Sequence, residues 1–390
     1  MKQLLTFLLC FSIPLSLCGC GKTAAQPEGR TASSIVVSDT AQLKAALSEA
    51  VPGDTIFLRE GRYEGHFVCE VSGTEASPVT LRSCEGERAI LAVPDHSDGA
   101  ALDLNGCRNL IISGLAFTDM QAKKVYGILM TGGESGIVIR SCEFSCITTT
   151  VPGDDGKTEG EANAVLLLGE TREPIRNVTI ENNRIHDNVN GWSENISIAG
   201  NCESVFVRNN EIFGCTNIGI DFYGNAEYCP DPELDRPRDC ECTGNTVYRC
   251  ICPYAENAGI YVDGAYDILV EGNEMYANPY GLEIGSEEWR PYYSDDLRVR
   301  NITVRNNFIH DNLECGLRLG GWTDDGSTGI VQDCNVTGNS FSGNPVDVIL
   351  AKCDTISFEE NEFSGDSAPE EAVVFDDAIS ADKITNILFR

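Results

Sequence analysis

Positive charge is scarce in this chain of 390 residues, which carries 28 Lys and Arg against 60 Asp and Glu and has a formal net charge of -32. A protein this acidic repels phosphate backbones, so the composition excludes nucleic acid as an expected partner. Long apolar runs are also missing, because no stretch beyond the first segment reaches the roughly 18 residues that a membrane-spanning helix needs. The chain has instead a hydrophobic content of 42% and 38 glycines, which indicates a folded, turn-rich β protein.

The first residues have the pattern of an export signal. An uncharged apolar run over residues 4–17 ends in Leu17-Cys18-Gly19-Cys20, which resembles a bacterial lipobox. By that resemblance residues 1–19 form a lipoprotein signal peptide and Cys20 is the lipidated first residue of the mature chain, with an ordinary cleaved signal as the alternative. Residues 20–34 then form a flexible tether. We therefore expect an exported, membrane-anchored bacterial surface lipoprotein that contacts the membrane only through its lipid.

The cysteines beyond this segment favour free thiols. Fifteen of the 18 cysteines follow residue 20, an odd number that cannot pair completely within the chain. Their spacing lacks the C-x2-C pairs of zinc ribbons, and about half of them fall at positions that the repeat described next turns inward. We therefore predict buried free cysteines and no firm metal site.

A repeat of about 30 residues dominates the sequence. Seven segments share the pattern apolar-x-x-Asn-x-apolar, and a short alternating strand that ends in glycine, such as GIYVDG or GLEIG, lies between them. This pattern predicts an all-β, single-stranded parallel β-helix of about nine coils, with the asparagines stacked in one inward ladder. A leucine-rich repeat is the rival fold, but it requires leucines and an outer helix in each unit. The seven asparagines are Asn183, Asn210, Asn245, Asn273, Asn307, Asn339 and Asn361.

The N-terminal end of the repeat carries a family resemblance. The sequence predicts a short capping helix over residues 41–50, with Asp39 or Thr40 as its N-cap. The following PGDTIFLREGRYEG (52–65) and VSGTEASPVTLRS (71–83) resemble the opening of the pectate-lyase-like right-handed parallel β-helix superfamily. With the Asn repeats, the resemblance covers residues 35–365, and residues 366–390 are predicted to form a C-terminal cap. It implies a carbohydrate-active protein, since the superfamily contains lyases, hydrolases, epimerases and non-enzymes.

Strand alternation points to one patch on the outside of the solenoid. If Ile260 and Val262 face the core, their neighbours and the residues at the same places in adjacent coils face solvent. Three long inserts follow these strands and would form the sides of a groove over the patch. They span residues 225–241, 286–298 and 322–329. The predicted outward residues are Asp221, Tyr223, Tyr261, Asp263, Glu283 and Arg318, and the inserts add Tyr228, Trp289, Tyr292, Tyr293 and Trp322.

Carboxylates beside rigid aromatic rings are typical of saccharide sites, so we expect a polysaccharide or oligosaccharide partner. A pair of carboxylates predicts glycosidic-bond hydrolysis. Arg318 is expected to keep Glu283 ionised as base or nucleophile, which leaves Asp263 or Asp221 as the acid. The segment GIYVDG…GLEIG resembles the Asp-then-Glu arrangement of β-helical xylosidase-type hydrolases, which implies catalytic roles for Asp263 and Glu283.

Two other functions stay open at the level of sequence. A polysaccharide lyase would use Arg318, Tyr261 or Lys352 as its base, with Ca²⁺ as a possible bridge to an acidic substrate. A non-catalytic, glycan-binding solenoid is the third interpretation, and in each case we expect a monomer. Two pairs of acidic residues in the inserts could hold Ca²⁺, but they lack EF-hand spacing, so solvated carboxylates are the favoured interpretation. These pairs are Asp295 with Asp296 and Asp324 with Asp325, whereas His186 and His310 share one turn position and are expected to be structural.

Overall fold

The computed structural model describes residues 31–153, 160–287, 299–320, 330–366, 368–376 and 384–390. Successive coils of the chain each contribute strands to three sheets of 13, 10 and 11 strands, which we call sheets A, B and C. Neighbouring strands within each sheet lie parallel and come from successive coils, as a parallel β-helix requires. The predicted right-handed parallel β-helix is confirmed, and no leucine-rich repeat helices interrupt the described coils. The prediction of about nine coils is too low, since every sheet has at least ten strands, because coils that lack the ladder asparagine also contribute strands.

The strand bounds follow the repeat. Sheet A contains β1 Ser34–Val37, β2 Thr55–Leu58, β5 Val79–Ser83, β8 Arg108–Ser113, β11 Ser135–Arg140, β14 Ile175–Glu181, β17 Cys202–Arg208, β20 Arg238–Thr243, β23 Tyr266–Glu271, β26 Val299–Arg305, β29 Val331–Thr337, β32 Cys353–Glu359 and β34 Ile384–Phe389. Sheet B contains β3 Gly61–Glu64, β6 Ala89–Ala92, β9 Ala116–Ala122, β12 Glu143–Thr149, β15 Arg184–His186, β18 Glu211–Phe213, β21 Thr246–Tyr248, β24 Glu274–Tyr276, β27 Phe308–His310 and β30 Ser340–Ser342. Sheet C contains β4 Phe67–Val68, β7 Gly99–Asp103, β10 Lys124–Met130, β13 Glu161–Gly169, β16 Ile196–Gly200, β19 Ile220–Tyr223, β22 Ala258–Asp263, β25 Tyr280–Gly285, β28 Cys315–Leu319, β31 Val346–Leu350 and β33 Val373–Phe375.

The asparagine ladder is present as predicted. The backbone N–H and the Nδ2 of Asn245 both donate to Oδ1 of Asn273, at 2.9 and 3.0 Å. Nδ2 of Asn273 in turn donates to the carbonyl of Cys242 at 2.9 Å. The same pattern repeats from Asn183 to Asn361. Each amide therefore satisfies a buried backbone N–H and a buried carbonyl at the turn between sheets A and B.

The residue before each ladder asparagine explains the recurring Asn-Asn and Gly-Asn pairs. These residues all lie in the left-handed region, with φ between 53° and 65°. Glycine and asparagine adopt this conformation at lower cost than other residues do. They are Asn182, Asn209, Gly244, Gly272, Asn306, Gly338 and Glu360.

A second, shorter asparagine ladder was not predicted. The backbone N–H of Asn278 donates to Oδ1 of Asn312 at 3.2 Å, and that of Asn312 donates to Oδ1 of Asn344 at 3.1 Å. Each of these residues lies five positions after a residue of the first ladder. The signal was therefore present in the repeat, but the two coils before Asn278 carry Cys215 and Cys250 at this position and hide the pattern.

The two ends of the solenoid differ. Helix α1, Thr40–Glu49, starts one residue earlier than predicted, and Oδ1 of its N-cap Asp39 accepts from the N–H of Gln42 at 2.8 Å. It buries Leu43 and Leu47 against the first coil. At the other end, after a 3₁₀ turn at Ser364–Asp366, helix α2, Pro369–Ala372, precedes β33 and β34, which extend sheets C and A. Neither helix of the described ranges is long and apolar enough to cross a bilayer.

Buried thiols and stacked rings complete the packing. All fifteen cysteines of the described ranges are free, and thirteen are buried.

On the outer face of sheet B, five rings stack in near-parallel order with centroids 4.7 to 5.1 Å apart. His186 and His310 form the two ends of this stack, which accounts for the turn position that they share. The rings between them are Phe213, Tyr248 and Tyr276.

Candidate functional site

Strand register brings the predicted site residues into one column of sheet C. Asp221 on β19 pairs with Tyr261 on β22, Tyr261 with Glu283 on β25, and Glu283 with Arg318 on β28. Ile260 and Val262 lie in the core with no exposed surface. The side chains between them therefore point away from the core, as the alternation predicted.

The expectation that these residues face solvent is wrong. Each points outward from the sheet but has almost no exposed surface. One covering contact comes from Glu287, whose backbone N–H donates to Oδ1 of Asp263 at 2.9 Å. The exposed fractions are 2% for Asp221, Tyr261 and Asp263, and 6% for Glu283 and Arg318.

The pair formed by Glu283 and Arg318 also differs from the expectation. Nη2 of Arg318 donates to Oδ2 of Asp376 at 2.7 Å, whereas its Nε lies 3.8 Å from Oε1 of Glu283. Burial and the nearby Glu287 raise the pKa of Glu283 to about 8, and Arg318 offsets only part of that effect. Arg318 therefore does not keep Glu283 ionised, because its stronger contact is with the C-terminal segment.

A cavity of about 620 Å³ lies on the outer face of sheet C, over β10, β13, β16, β19 and β22. Four of the six predicted outward residues line it, namely Asp221, Tyr223, Tyr261 and Asp263, together with Tyr228 of the first insert, whereas Glu283 and Arg318 are not among its described lining residues. The cavity thus lies closer to the N-terminal coils than the predicted patch does. A groove of about 610 Å³ on sheet A, between β26 and β34, has Asn, Thr and Ser side chains and a single carboxylate, so it offers less chemistry.

Acidic groups dominate the cavity. Six carboxylates and one ammonium group line it among the described residues. Nζ of Lys124, the ammonium group, lies 2.5 Å from Oε1 of Glu161, whose Oε2 accepts from the hydroxyl of Tyr126 at 2.6 Å. The positive charge is therefore already paired, and the other carboxyl groups of the lining belong to Glu194, Asp221, Glu256, Asp263 and Glu287.

Asp221 is the most unusual of these acids. It is 2% exposed, and its Oδ1 has no hydrogen-bond partner among the described residues, although an unpaired buried oxygen is costly. Burial, with the negative charges of Glu194 and Asp263, raises the pKa of Asp221 well above its usual range. Burial likewise raises the pKa of Glu194 to about 7. The centre of the cavity therefore holds protonated carboxyl groups near neutral pH.

Aromatic rings form the rim of the cavity. Trp192 is 38% exposed and stacks in a tilted geometry on Tyr254, with ring centroids 4.8 Å apart. Tyr223 and Tyr228 meet edge to face at 5.8 Å, and Tyr228 is 37% exposed. Such rings present flat apolar faces beside hydrogen-bonding acids, an arrangement suited to sugar rings.

Several predicted residues cannot be placed. Cys20, Trp289, Tyr292, Tyr293 and Trp322 lie outside the described residues, as do the candidate calcium ligands of the two acidic inserts. Within the described ranges, no group of three or more His, Cys, Asp or Glu side chains is arranged to hold a metal ion. Lys352 is 3% exposed and does not line the cavity.

Sequence reasoning missed the residues on the N-terminal side of the cavity. Glu161 begins β13, Glu194 precedes β16, and Glu256 precedes β22, so none of them occupies a column of the repeat. The available signal was a single Glu directly before an Asn in each of the turns that precede β16 and β22, within WSEN (192–195) and YAEN (254–257).

Comparison with known proteins agrees with the fold. A family model described as "Right handed beta helix region" matches residues 71–284 and 231–380, and the chain belongs to this family. The chain is 28% identical over 294 residues to YwoF of Bacillus subtilis (strain 168), a protein described as uncharacterized. The match covers 72% of this chain and 60% of YwoF, so the chain spans less than two thirds of that relative's length.

Two solved structures align with most of this chain. The Dettilon tailspike protein aligns with a TM-score of 0.52 and 14% identity, over 90% of this chain and 64% of its own. A mannuronic acid specific polysaccharide family 6 lyase from human gut microbiota aligns with a TM-score of 0.49 and 16% identity, over 92% of this chain and 91% of its own. These likenesses concern the fold, and the resemblance to the pectate-lyase-like superfamily is confirmed at that level.

Proposed function

We propose that this chain binds a saccharide in the cavity over sheet C and hydrolyses a glycosidic bond with paired carboxylates. The observation that carries the proposal is the buried carboxyl of Asp221, with its raised pKa and its unpartnered oxygen, inside a cavity rimmed by aromatic rings. A general acid in a hydrolase must hold a proton near neutral pH, and burial among like charges achieves this.

Asp263 is the proposed partner of Asp221. Tyr261 lies directly opposite Asp221, and Asp263 follows two residues later on the same strand. Strand spacing and rise then put the two Cα atoms about 8 Å apart. From that backbone separation the two side chains can bring their carboxyl groups within the range of about 5 to 9.5 Å that hydrolases use. The N–H of Glu287 donates to Oδ1 of Asp263, which orients this carboxylate as base or nucleophile.

A lyase is the second candidate, and the described lining of the cavity provides fewer of the groups that elimination needs. Elimination needs a basic side chain beside the substrate and a positive group to neutralise a uronate. Arg318 and Lys352 do not line the cavity, and Lys124 is paired with Glu161.

The test is product analysis with the purified full-length chain on a panel of neutral, amino and acidic oligosaccharides. New reducing ends without unsaturated uronates are expected, and an Asp221→Asn/Asp263→Asn double variant should lose this activity. Asp239→Asn is the matched control, because Asp239 is exposed on sheet A, away from the cavity. Unsaturated products would establish the lyase instead, and binding without cleavage by the wild-type chain would establish a non-catalytic glycan-binding solenoid.

We also propose that the chain is attached to the cell surface through Cys20. The support is the lipobox-like Leu17-Cys18-Gly19-Cys20 after an apolar run. Replacing Cys20 by Ala should release the protein from the membrane fraction into the soluble fraction, and an unchanged distribution would contradict the proposal.

A further inference from the structure

The lining of the cavity is lowest along strand β16, and this shape carries an inference about the substrate. Ser197 and Ala199, the strand residues of β16 that line the cavity, have small side chains. Their register neighbours on the two adjacent strands also line the cavity and are larger. These neighbours are Leu166 and Leu168 on β13 and Asp221 and Tyr223 on β19. We call the space over Ser197 and Ala199, between these larger side chains, the β16 trough.

An exposed aromatic ring of the cavity lining lies at each end of the β16 trough. The residue before Trp192 bridges to Glu161, the first residue of β13. At the other end, a Cβ atom placed on Gly200 would lie 3.2 Å from Cβ of Tyr228, and Gly200 pairs with the last residue of β13. The nine residues of β13 extend over about 26 Å along the strand. A single sugar ring is too short to contact both aromatic rings.

The ring of Tyr228 is held in place by a buried carboxylate. Oδ2 of Asp235 accepts from the backbone N–H of Glu227 at 2.6 Å, and Oδ1 accepts from that of Cys229 at 2.7 Å. Both residues that flank Tyr228 in sequence are therefore bound to one carboxylate, which is 1% exposed. A ring that is fixed in this way loses little conformational freedom when a ligand stacks on it.

Trp192 is fixed in the same manner at the other end. The hydroxyl of Tyr254 donates to the carbonyl of Gly191 at 2.5 Å, and its ring stacks on Trp192. Nδ2 of Asn217 donates to the carbonyl of Ser193 at 3.2 Å. The two sequence neighbours of Trp192 are thus each bound by a side chain from a later coil. Both ends of the β16 trough therefore present a preorganised aromatic ring.

Asp221 lies between the two rings and supplies an independent indication of a ligand. It pairs with Ser197, which pairs with Leu166 in the interior of β13. Its Oδ1 is buried without a hydrogen-bond partner among the described residues, and the side chain lines the cavity. A donor from outside the chain, such as a sugar hydroxyl, would satisfy this oxygen. A saccharide that contacts both rings therefore passes Asp221 with sugar units on each side.

We propose that the β16 trough binds a saccharide chain that runs along β16, across the solenoid axis, with one sugar ring stacked on Trp192 and another on Tyr228. This inference rests on the proposed saccharide site and names its substrate class. The substrate is a chain of several sugars that is cleaved at an internal bond, and not a terminal sugar. Aromatic faces pack well against the apolar faces of sugar rings, and the small side chains of the trough leave room for the sugars between them.

The test measures how affinity depends on chain length, by isothermal titration calorimetry with the full-length chain. The probes are the disaccharides and hexasaccharides of xylose, glucose, mannose, galactose, glucosamine and galacturonic acid. In at least one series the hexasaccharide should bind at least tenfold more tightly than the disaccharide. In that series, cleavage of the hexasaccharide should first release oligosaccharides and not single sugars.

Four variants localise the effect to the two rings. Trp192→Ala and Tyr228→Ala should each weaken binding of the hexasaccharide at least fivefold, and at most one of them should affect the disaccharide. The two losses should multiply in the double variant, because the rings are too far apart to interact directly. Trp192→Phe and Tyr228→Phe keep an aromatic ring and should retain affinity within threefold. Phe308→Ala is the matched control, because Phe308 is 41% exposed on sheet B, and it should leave both affinities unchanged.

The outcomes separate this inference from the proposed hydrolysis. If only one alanine variant weakens binding of the hexasaccharide, the chain does not run along β16 and the inference is overturned. Equal affinity for the two lengths, or no binding in any series, overturns it as well. Release of single sugars from the chain end also overturns it, although hydrolysis itself would stand. Length-dependent binding that needs both rings, without cleavage, supports the inference and contradicts only the hydrolase.

Discussion

Replacing Asn273 by alanine tests the ladder that holds the coils together. Oδ1 of Asn273 accepts from the N–H and Nδ2 of Asn245, at 2.9 and 3.0 Å. Its Nδ2 donates to the carbonyl of Cys242 at 2.9 Å and to Oδ1 of Asn307 at 3.0 Å. Alanine removes all four bonds and leaves one backbone N–H and one carbonyl buried without these partners. At about 1 to 3 kcal/mol for each orphaned group, the free energy of unfolding should fall by about 2 to 6 kcal/mol.

The measurement is urea unfolding followed by far-ultraviolet circular dichroism, with Asn335→Ala as the control. Asn335 is exposed on β29 and accepts a single hydrogen bond from Ser357, at 2.8 Å, so its loss should cost less than about 0.5 kcal/mol. If the two variants differ by less than about 1 kcal/mol, the ladder does not stabilise the solenoid in the way described.

Three further predictions concern the site and its surroundings. The folded-state pKa of Glu283, about 8, lies above its unfolded value near 4.3, so the folded chain holds an extra proton between these values. The melting temperature should therefore fall as pH rises from about 5 to 8, and Glu283→Gln, which cannot ionise, should flatten that fall; an unchanged slope would contradict the raised pKa. Trp192→Ala should weaken saccharide binding with a smaller effect on turnover, because Trp192 lies at the rim; a kcat effect alone would contradict this position. Among the cysteines of the described ranges, Cys146 should be labelled first by a thiol reagent in the folded chain, since it is the only exposed one, and peptide mass spectrometry would reveal any buried cysteine that reacts sooner.

Sequence periodicity was sufficient to predict the solenoid and the column of site residues. Asn245 and Asn273 recur at equivalent positions because each coil must satisfy the same buried turn groups. Likewise, Tyr261 lies between Ile260 and Val262, so alternation alone assigns it to the outer face. These features depend on local spacing, which the sequence carries directly.

The environment of the site residues was not predictable in the same way. Glu283 was expected to be exposed and ionised, but it is 6% exposed, and its expected partner Arg318 turns toward Asp376, 58 residues further along the chain. Glu194 lies before a strand, outside every repeat column, so spacing gave no reason to place it beside Asp221. Burial and pKa depend on which inserts fold over a face, and the repeat contains no information about that.

The central claim is that catalysis depends on the cavity around Asp221 and not on the neighbouring pair of Glu283 and Arg318. The most direct measurement is the turnover of Asp221→Asn and of Glu283→Gln, side by side, on an oligosaccharide that the wild-type chain cleaves. The account predicts a loss of at least about 10² in kcat for Asp221→Asn, the size expected for a lost acid-base group, and less than about tenfold for Glu283→Gln. Wild-type turnover in Asp221→Asn, with a loss of about 10² in Glu283→Gln, would contradict it.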